Sequence, residues 1–109
     1  MTNIEELKRM AEQGNAEAQF LLGSIYLDEN NGGDGIKWLR KSAMQGYGFA
    51  QDCICMCYEY GIGVPKDRTE ANYWGKKAYE NERRGAYVPN AYKQPQCIQR
   101  KIREVTGMK

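Results

Sequence analysis

The apolar positions of this chain recur with the spacing of a helix. Ile4, Leu7 and Ala11 lie three or four residues apart, and the same spacing returns in the later segments. Apolar and polar residues do not alternate over four or more positions anywhere, so the pattern typical of a strand is missing. The pattern predicts an all-α chain. We expect a first helix that ends at Gly14, and further helices over about 15–28, 35–45, 48–60, 68–82 and 95–105.

Polar and glycine-rich segments mark the ends of these predicted helices. Thr2, with Glu5 three residues later, fits a capping box for the first helix. Asn15 and Asp34 are the expected N-caps of the second and third helices. The segment 61–66 (GIGVPK) cannot continue a helix, because it combines two glycines with a proline.

Two parts of the chain are similar to each other at a nearly fixed distance. A period of 32 to 36 residues relates the matched positions, which are Gly14 and Gly46, Ala18-Gln19 and Ala50-Gln51, Tyr26 and Tyr58, and Trp38 and Trp74. The segment 4–14 also aligns with 36–46. Self-similarity at such a period between helical segments is typical of a helical solenoid. Because a solenoid presents an extended surface, the repeat favours binding over catalysis.

The second copy resembles a Sel1-like repeat. That family's pattern is A-Q, then L-G-x-x-Y, then G-x-G-V-x-x-D, then A-x-x-W-x-x-K-A. The matching residues here are Ala50-Gln51, Tyr58, Gly61-Ile62-Gly63-Val64, Asp67, Ala71, Trp74, Lys77 and Ala78. The first copy keeps AEAQFLLGSIY over 16–26, followed by Trp38, Lys41 and Ser42. Its linker is four residues shorter, because Tyr26 to Trp38 spans 12 positions whereas Tyr58 to Trp74 spans 16.

The resemblance implies one domain, a tetratricopeptide-like α/α superhelical solenoid of about two repeats. We expect an N-terminal half-repeat over 2–14, repeat 1 over 15–46, repeat 2 over 47–82 and a C-terminal cap with a capping helix over 83–109. Small residues are expected to let the paired helices approach closely, and these are Ala18, Gly23, Ala50 and Ala71.

Three of the four cysteines lie close together in the fourth predicted helix, at Cys53, Cys55 and Cys57. This spacing is poor for a disulfide within one helix and lacks the second pair of ligands that zinc usually needs. The repeat alignment matches the three to packing positions of the first copy, Leu21, Gly23 and Ile25. We therefore expect buried thiols, with Cys97 as an exposed one. A thiol-based metal or redox protein is the less favoured alternative.

Composition and charge narrow the classes of function. The chain has no histidine, which removes the commonest general base and the commonest metal ligand, so we expect no enzyme, no metal and no cofactor. No apolar run approaches the ~20 residues of a membrane helix, and the N-terminus lacks the layout of a signal peptide, so we expect a cytoplasmic protein without membrane contact.

The charge is unevenly distributed along the chain. The net charge is +2, yet residues 83–109 carry seven basic side chains and one acidic one. This segment is either a solvated helix face or a basic edge that meets an acidic partner or, weakly, nucleic acid. No motif of a dedicated nucleic-acid module is present, so we expect no nucleic-acid partner.

The resemblance implies a protein–protein interaction module whose concave helical surface binds a partner protein. The first helix of each pair usually lines that surface, and its predicted outward residues are Glu17, Phe20, Ser24, Leu27, Phe49, Asp52, Met56, Glu59 and Tyr60. The alternative is that neighbouring repeats cover them. Small bacterial members of the family can serve as immunity or inhibitor proteins that occlude a cognate toxin or enzyme, which is the alternative function. Tyr87 and Tyr92, with the last predicted helix, form a second candidate surface. We expect the protein to be a monomer or a weak homo-oligomer.

Overall fold

Five helices form the described part of the chain. The computed structural model describes residues 4–83 together with 103, 104 and 107. The helices are α1 (Ile4–Glu12), α2 (Ala16–Asp28), α3 (Gly32–Met44), α4 (Gly48–Tyr60) and α5 (Arg68–Arg83). The extensive contacts all join helices that are consecutive in the chain, as in a solenoid. The predicted all-α solenoid is confirmed. The expected Thr2 cap, Cys97, Tyr87, Tyr92 and most of the expected C-terminal cap lie outside the described residues.

The N-caps fix where three of the helices begin. The Asn15 side chain accepts a hydrogen bond from the Ala18 amide at 2.8 Å, and the Asp67 carboxylate accepts one from the Glu70 amide at 3.1 Å. Asn31 caps α3, with its side-chain oxygen 3.4 Å from the Asp34 amide. Our expectation that Asp34 is this cap is wrong, because α3 begins earlier and places Asp34 in its first turn.

The loop between α4 and α5 packs against the turn between α2 and α3. Gly61 ends α4 in the left-handed conformation, and Ile62 then enters the core with 4% of its surface exposed. Gly63 follows at φ 74°, so close to Gly32 that a Cβ on Gly32 would lie 2.6 Å from the Gly63 Cα. The G-x-G-V loop thus joins the two repeats.

Small residues on one helix receive large ones from its partner. A Cβ on Gly23 would lie 2.8 Å from Leu39 Cγ, and a Cβ on Gly35 would lie 2.9 Å from Leu27 Cγ. The predicted close approach of α2 and α3 at Gly23 is therefore confirmed. The main core continues from these contacts through α4 to α5, where it ends at Trp74.

Buried amide side chains link each repeat to the helix before it. The Gln19 side-chain amide donates to the Ala11 carbonyl at 3.0 Å, at the end of α1. The Gln19 oxygen accepts a hydrogen bond from the Gln45 amide at 2.9 Å. Gln45 also donates to the Gly14 carbonyl at 2.9 Å. Three successive helices are therefore tied together at one end.

Repeat 2 makes the same connections. The Gln51 amide donates to the Ala43 carbonyl at 3.0 Å, and its oxygen accepts from the Asn81 amide at 2.5 Å. Asn81 also donates to the Gly46 carbonyl at 3.1 Å. The recurrence gives a physical reason for the Ala-Gln dipeptide, since Gln reaches the preceding helix and Ala lets the backbones approach.

Candidate partner-binding surface

Three of the predicted surface residues are buried. Phe20, Ser24 and Leu27 are exposed by only 6%, 7% and 2%. The centroid of the Phe20 ring lies 5.5 Å from that of Tyr47 and 6.4 Å from that of Phe49, so the start of repeat 2 covers it. Our expectation that these residues face outward is wrong, because the second repeat stacks on this side of α2.

The side chains of Leu27 and Ser24 are enclosed as well. Leu27 Cδ2 lies near Gly63, where a Cβ would be 3.2 Å away, so the G-x-G-V loop covers it. The Ser24 hydroxyl donates to the Phe20 carbonyl at 2.9 Å within the helix. Neither residue is placed to contact another protein.

The remaining predicted residues are accessible. Glu17 and Glu59 are exposed, while the other four are half-buried. Five of the six recur at three- or four-residue spacing along α4 and share one side of that helix. We call these the α4 surface, which consists of Phe49, Asp52, Met56, Glu59 and Tyr60.

The α4 surface corresponds to the side of α2 that repeat 2 covers. In the repeat alignment Phe20 matches Asp52, Ser24 matches Met56, and Leu27 matches Glu59. The two large buried apolar side chains of repeat 1 are thus replaced by carboxylates in repeat 2. Terminal repeats of solenoids commonly carry a polar outer side. The replacement makes this surface unsuitable for stacking a further repeat of the same composition.

A crevice opens beside the α4 surface, between α4 and α5. The pair Gly23 and Leu39 of repeat 1 becomes Cys55 and Gly75 in repeat 2, which removes a leucine side chain from the contact. A Cβ on Gly75 would lie 3.2 Å from Cys55 Sγ. The crevice has a volume of about 350 Å³. It is lined by Cys55, Tyr58, Glu59, Lys66, Arg68, Ala71, Asn72, Gly75 and Lys76.

The helices α2 and α4 carry only negative charge. Their acidic residues are Glu17, Asp28, Asp52 and Glu59, and neither helix contains Lys or Arg. Arg40 and Lys41 lie on α3, the partner helix of α2. Tyr47, which precedes α4, has its pKa raised by burial and also by the Glu17 carboxylate. Glu17 is therefore close enough to extend the acidic area across Tyr47.

The cysteines are placed largely as packing residues. Cys53 and Cys57 are 1% and 0% exposed, so the predicted burial of these two thiols is confirmed. Cys55 is only half-buried, because it points toward Gly75 and the crevice. Burial, followed by the charges of Glu59 and Asp52, raises the pKa of its thiol to about 11. Within residues 4–83 and the three further described positions, no group of His, Cys, Asp and Glu could hold a metal ion.

Tyr47 also belongs to this area, although it was not among the predicted surface residues. Its ring is half-buried and lies 5.8 Å, between centroids, from that of Phe49. The available signal was an aromatic residue directly after Gly46 and two positions before Phe49. The prediction considered only positions within the helices, so a residue at the helix boundary was left out.

The comparisons with known proteins agree with the geometry. The model of the Sel1 repeat matches residues 16–47 and 50–82, which together make up more than half of the chain. Sel1 repeats are generally protein–protein interaction modules and generally not enzymes. Neither a curated protein nor a solved structure matches the chain. Over its described part, no helix is both long and apolar enough to cross a membrane. The matches over both repeats, and the structure that they form, show that the chain belongs to the Sel1 repeat family.

Proposed function

We propose that this protein binds a partner protein through the α4 surface. The observation that carries the proposal is the exchange between the repeats. Positions that are covered in repeat 1 become Asp52, Met56 and Glu59 in repeat 2, where they stay at least partly accessible. Apolar side chains in the middle of a patch with charged groups beside them are the usual composition of a protein–protein interface.

The charge of this area specifies the kind of partner. The carboxylates of Asp52 and Glu59 on this surface, with Glu17 beside Tyr47, favour a partner that presents Lys or Arg beside an apolar group. Met56 supplies a flexible apolar contact, and the rings of Phe49 and Tyr60 supply rigid ones. Association with such a partner weakens as salt rises, because screening shortens the range of the attraction.

Capture followed by a measured affinity tests the proposal. The protein is used to isolate its partner from the native cell, and the purified partner is then titrated against Glu59→Lys. Reversing an exposed charge at the edge of the interface is expected to weaken binding about tenfold, equivalent to ~1.4 kcal/mol. The matched control is Glu12→Lys, an exposed acid of α1, which should leave the affinity unchanged. Equal losses in both variants would contradict the proposal.

The immunity or inhibitor role is a finer form of the same proposal. Its support is the family resemblance, and the captured partner decides it. If the partner is a toxin or an enzyme, a stoichiometric amount of this protein should abolish the partner's activity. A partner that keeps its full activity in the complex would favour an adaptor instead.

A further inference from the structure

The crevice between α4 and α5 lies where repeat 1 has a contact filled by two leucine side chains. In repeat 1 a Cβ on Gly23 would lie 2.8 Å from Leu39 Cγ. A Cβ on Gly35 would likewise lie 2.9 Å from Leu27 Cγ. The counterparts of these four residues in repeat 2 all line the crevice, and they are Cys55 for Gly23, Glu59 for Leu27, Ala71 for Gly35 and Gly75 for Leu39. The repeat 2 contact therefore has no leucine at either position.

The substitutions leave a volume that suits a branched aliphatic group. At the equivalent place in repeat 1, Leu39 and Leu27 are only 0% and 2% exposed, so the helix pair encloses such groups well. In repeat 2 the Cys55 sulfur takes up part of the space, since a Cβ on Gly75 would lie 3.2 Å from it. The crevice nevertheless measures about 350 Å³, which is within the range of small-ligand sites.

The floor of the crevice is apolar in character. Of its lining residues Tyr58 and Ala71 are buried, and Cys55 and Gly75 are half-buried. The Tyr58 hydroxyl already accepts a hydrogen bond from Arg40. Burial raises the pKa of the Cys55 thiol to about 11, so the sulfur is uncharged at neutral pH. An aliphatic group at the floor would thus contact carbon atoms and a neutral sulfur.

The rim of the crevice carries an excess of positive charge. The basic side chains that line it are Lys66, Arg68 and Lys76, and all three are exposed. Glu59 is the acidic lining residue, and it belongs to α4. The positive charge therefore lies on the side of α5 and the loop before it. Ammonium and guanidinium groups attract a carboxylate and donate hydrogen bonds to it.

We propose that this crevice binds a small carboxylate that carries a branched aliphatic group. The aliphatic group takes the place that leucine side chains fill in repeat 1, and the carboxylate stays at the rim beside the basic side chains. A small-molecule site goes beyond the proposed function, which concerns a partner protein. Of the lining residues Glu59 alone also belongs to the α4 surface, so the two sites can be tested separately.

Three small molecules test the proposal by NMR. The probe is 4-methylpentanoate, which combines the branched end of a leucine side chain with a carboxylate, and it is titrated into the ¹⁵N-labelled full chain at pH 7. The backbone amide resonance of Ala71 should shift and saturate with a Kd on the order of 1 mM, which is typical of a ligand of this size. The neutral 4-methylpentanamide should bind about fivefold more weakly, and acetate should give no saturable shift.

The proposal fails if the Ala71 shift does not saturate with 4-methylpentanoate. Equal binding of 4-methylpentanamide would show that the rim does not recognise the carboxylate. Equal binding of acetate would show that only the charge is attracted and that the floor has no role. Each of these results would overturn the proposal without bearing on the α4 surface.

Two variants separate the floor of the crevice from its rim. Gly75→Leu restores the leucine of repeat 1, so the saturable shift at Ala71 should be lost while the helical circular-dichroism signal persists. Lys76→Gln removes one rim charge and should weaken 4-methylpentanoate about fivefold while leaving 4-methylpentanamide unaffected. The matched control is Lys77→Gln, an exposed neighbour beside the Tyr73 ring, which should leave the Kd unchanged. Unchanged binding in Gly75→Leu, or equal losses in the two lysine variants, would overturn the proposal.

Discussion

Removal of the Gln51 amide tests the account of how the repeats are joined. Gln51 is 4% exposed and makes two side-chain hydrogen bonds, one to the Ala43 carbonyl and one from Asn81. Gln51→Met keeps the length of the side chain and removes both bonds. The change therefore isolates the hydrogen bonds from the packing.

The expected loss follows from what each partner retains. The Ala43 carbonyl still accepts from the Gly46 amide at 3.0 Å, and Asn81 still donates to the Gly46 carbonyl. Because both partners keep a hydrogen bond, the cost is about 1 kcal/mol for each bond lost, or ~2 kcal/mol in total. For a domain of this size that corresponds to a fall in Tm of roughly 10 °C.

Urea unfolding followed by circular dichroism measures this free energy. The control is Gln13→Met, an exposed residue that should change it by less than ~0.5 kcal/mol. Gln51→Met, Asn81→Leu and the variant with both changes form a double-mutant cycle. We expect a coupling free energy of about 1 kcal/mol between the two positions. A loss below ~0.5 kcal/mol in Gln51→Met, or strict additivity in the cycle, would refute the role of the amide network.

Three further predictions concern the loop and the crevice. Gly63→Ala should destabilise the fold by about 1–3 kcal/mol more than Gly14→Ala. Both glycines have a positive φ, but only Gly63 is closely surrounded. Equal losses in thermal unfolding would contradict the loop contact. The double variant Cys55→Gly with Gly75→Leu restores the pairing of repeat 1 and should raise the free energy of unfolding by about 1–2 kcal/mol. Gly75→Leu alone should raise it less, because the new side chain would press against the Cys55 sulfur. The rate of Cys55 alkylation, followed by mass spectrometry, should rise about tenfold per pH unit until the pH nears its pKa of about 11, and a plateau near pH 8.5 would be inconsistent with that pKa.

The Cys55 thiol also makes the free energy of unfolding fall as the pH rises. Its pKa is raised in the folded state, so the fold favours the neutral thiol. This contribution is fully present below the ordinary thiol pKa of about 8.5 and is lost as the pH rises through about 11. Cys55→Ser should reduce the loss of stability over that range, as measured by urea unfolding at pH 8 and pH 11.

Local rules and the repeat made much of the fold predictable from sequence. The cap at Asn15 and the glycines that end helices follow from backbone chemistry, so the ends of α1 and α3 and both bounds of α2, α4 and α5 came out within a residue or two. The start of α3 did not. Two glycines after Asn31 argue against a helix locally, yet Gly32 is needed where Gly63 approaches it from the next repeat.

The candidate site was harder to predict. Aligning the repeats shows which positions are equivalent, but it does not show which of them are covered by another part of the chain. Phe20 and Asp52 occupy the same position in their repeats, but Phe20 is buried under the start of repeat 2 whereas Asp52 is half-buried. This difference in coverage is not contained in the spacing of residues along the chain.

Methionine methyl NMR of the complex tests the central claim most directly. With the purified partner added, the resonance of Met56 on the α4 surface should shift and saturate at one equivalent, while that of Met10 on α1 stays in place. In Glu59→Lys the shift should reach half of its maximum at about a tenfold higher concentration of free partner. A partner that binds at full strength while the Met56 resonance is unmoved would show that the α4 surface is not where this protein binds.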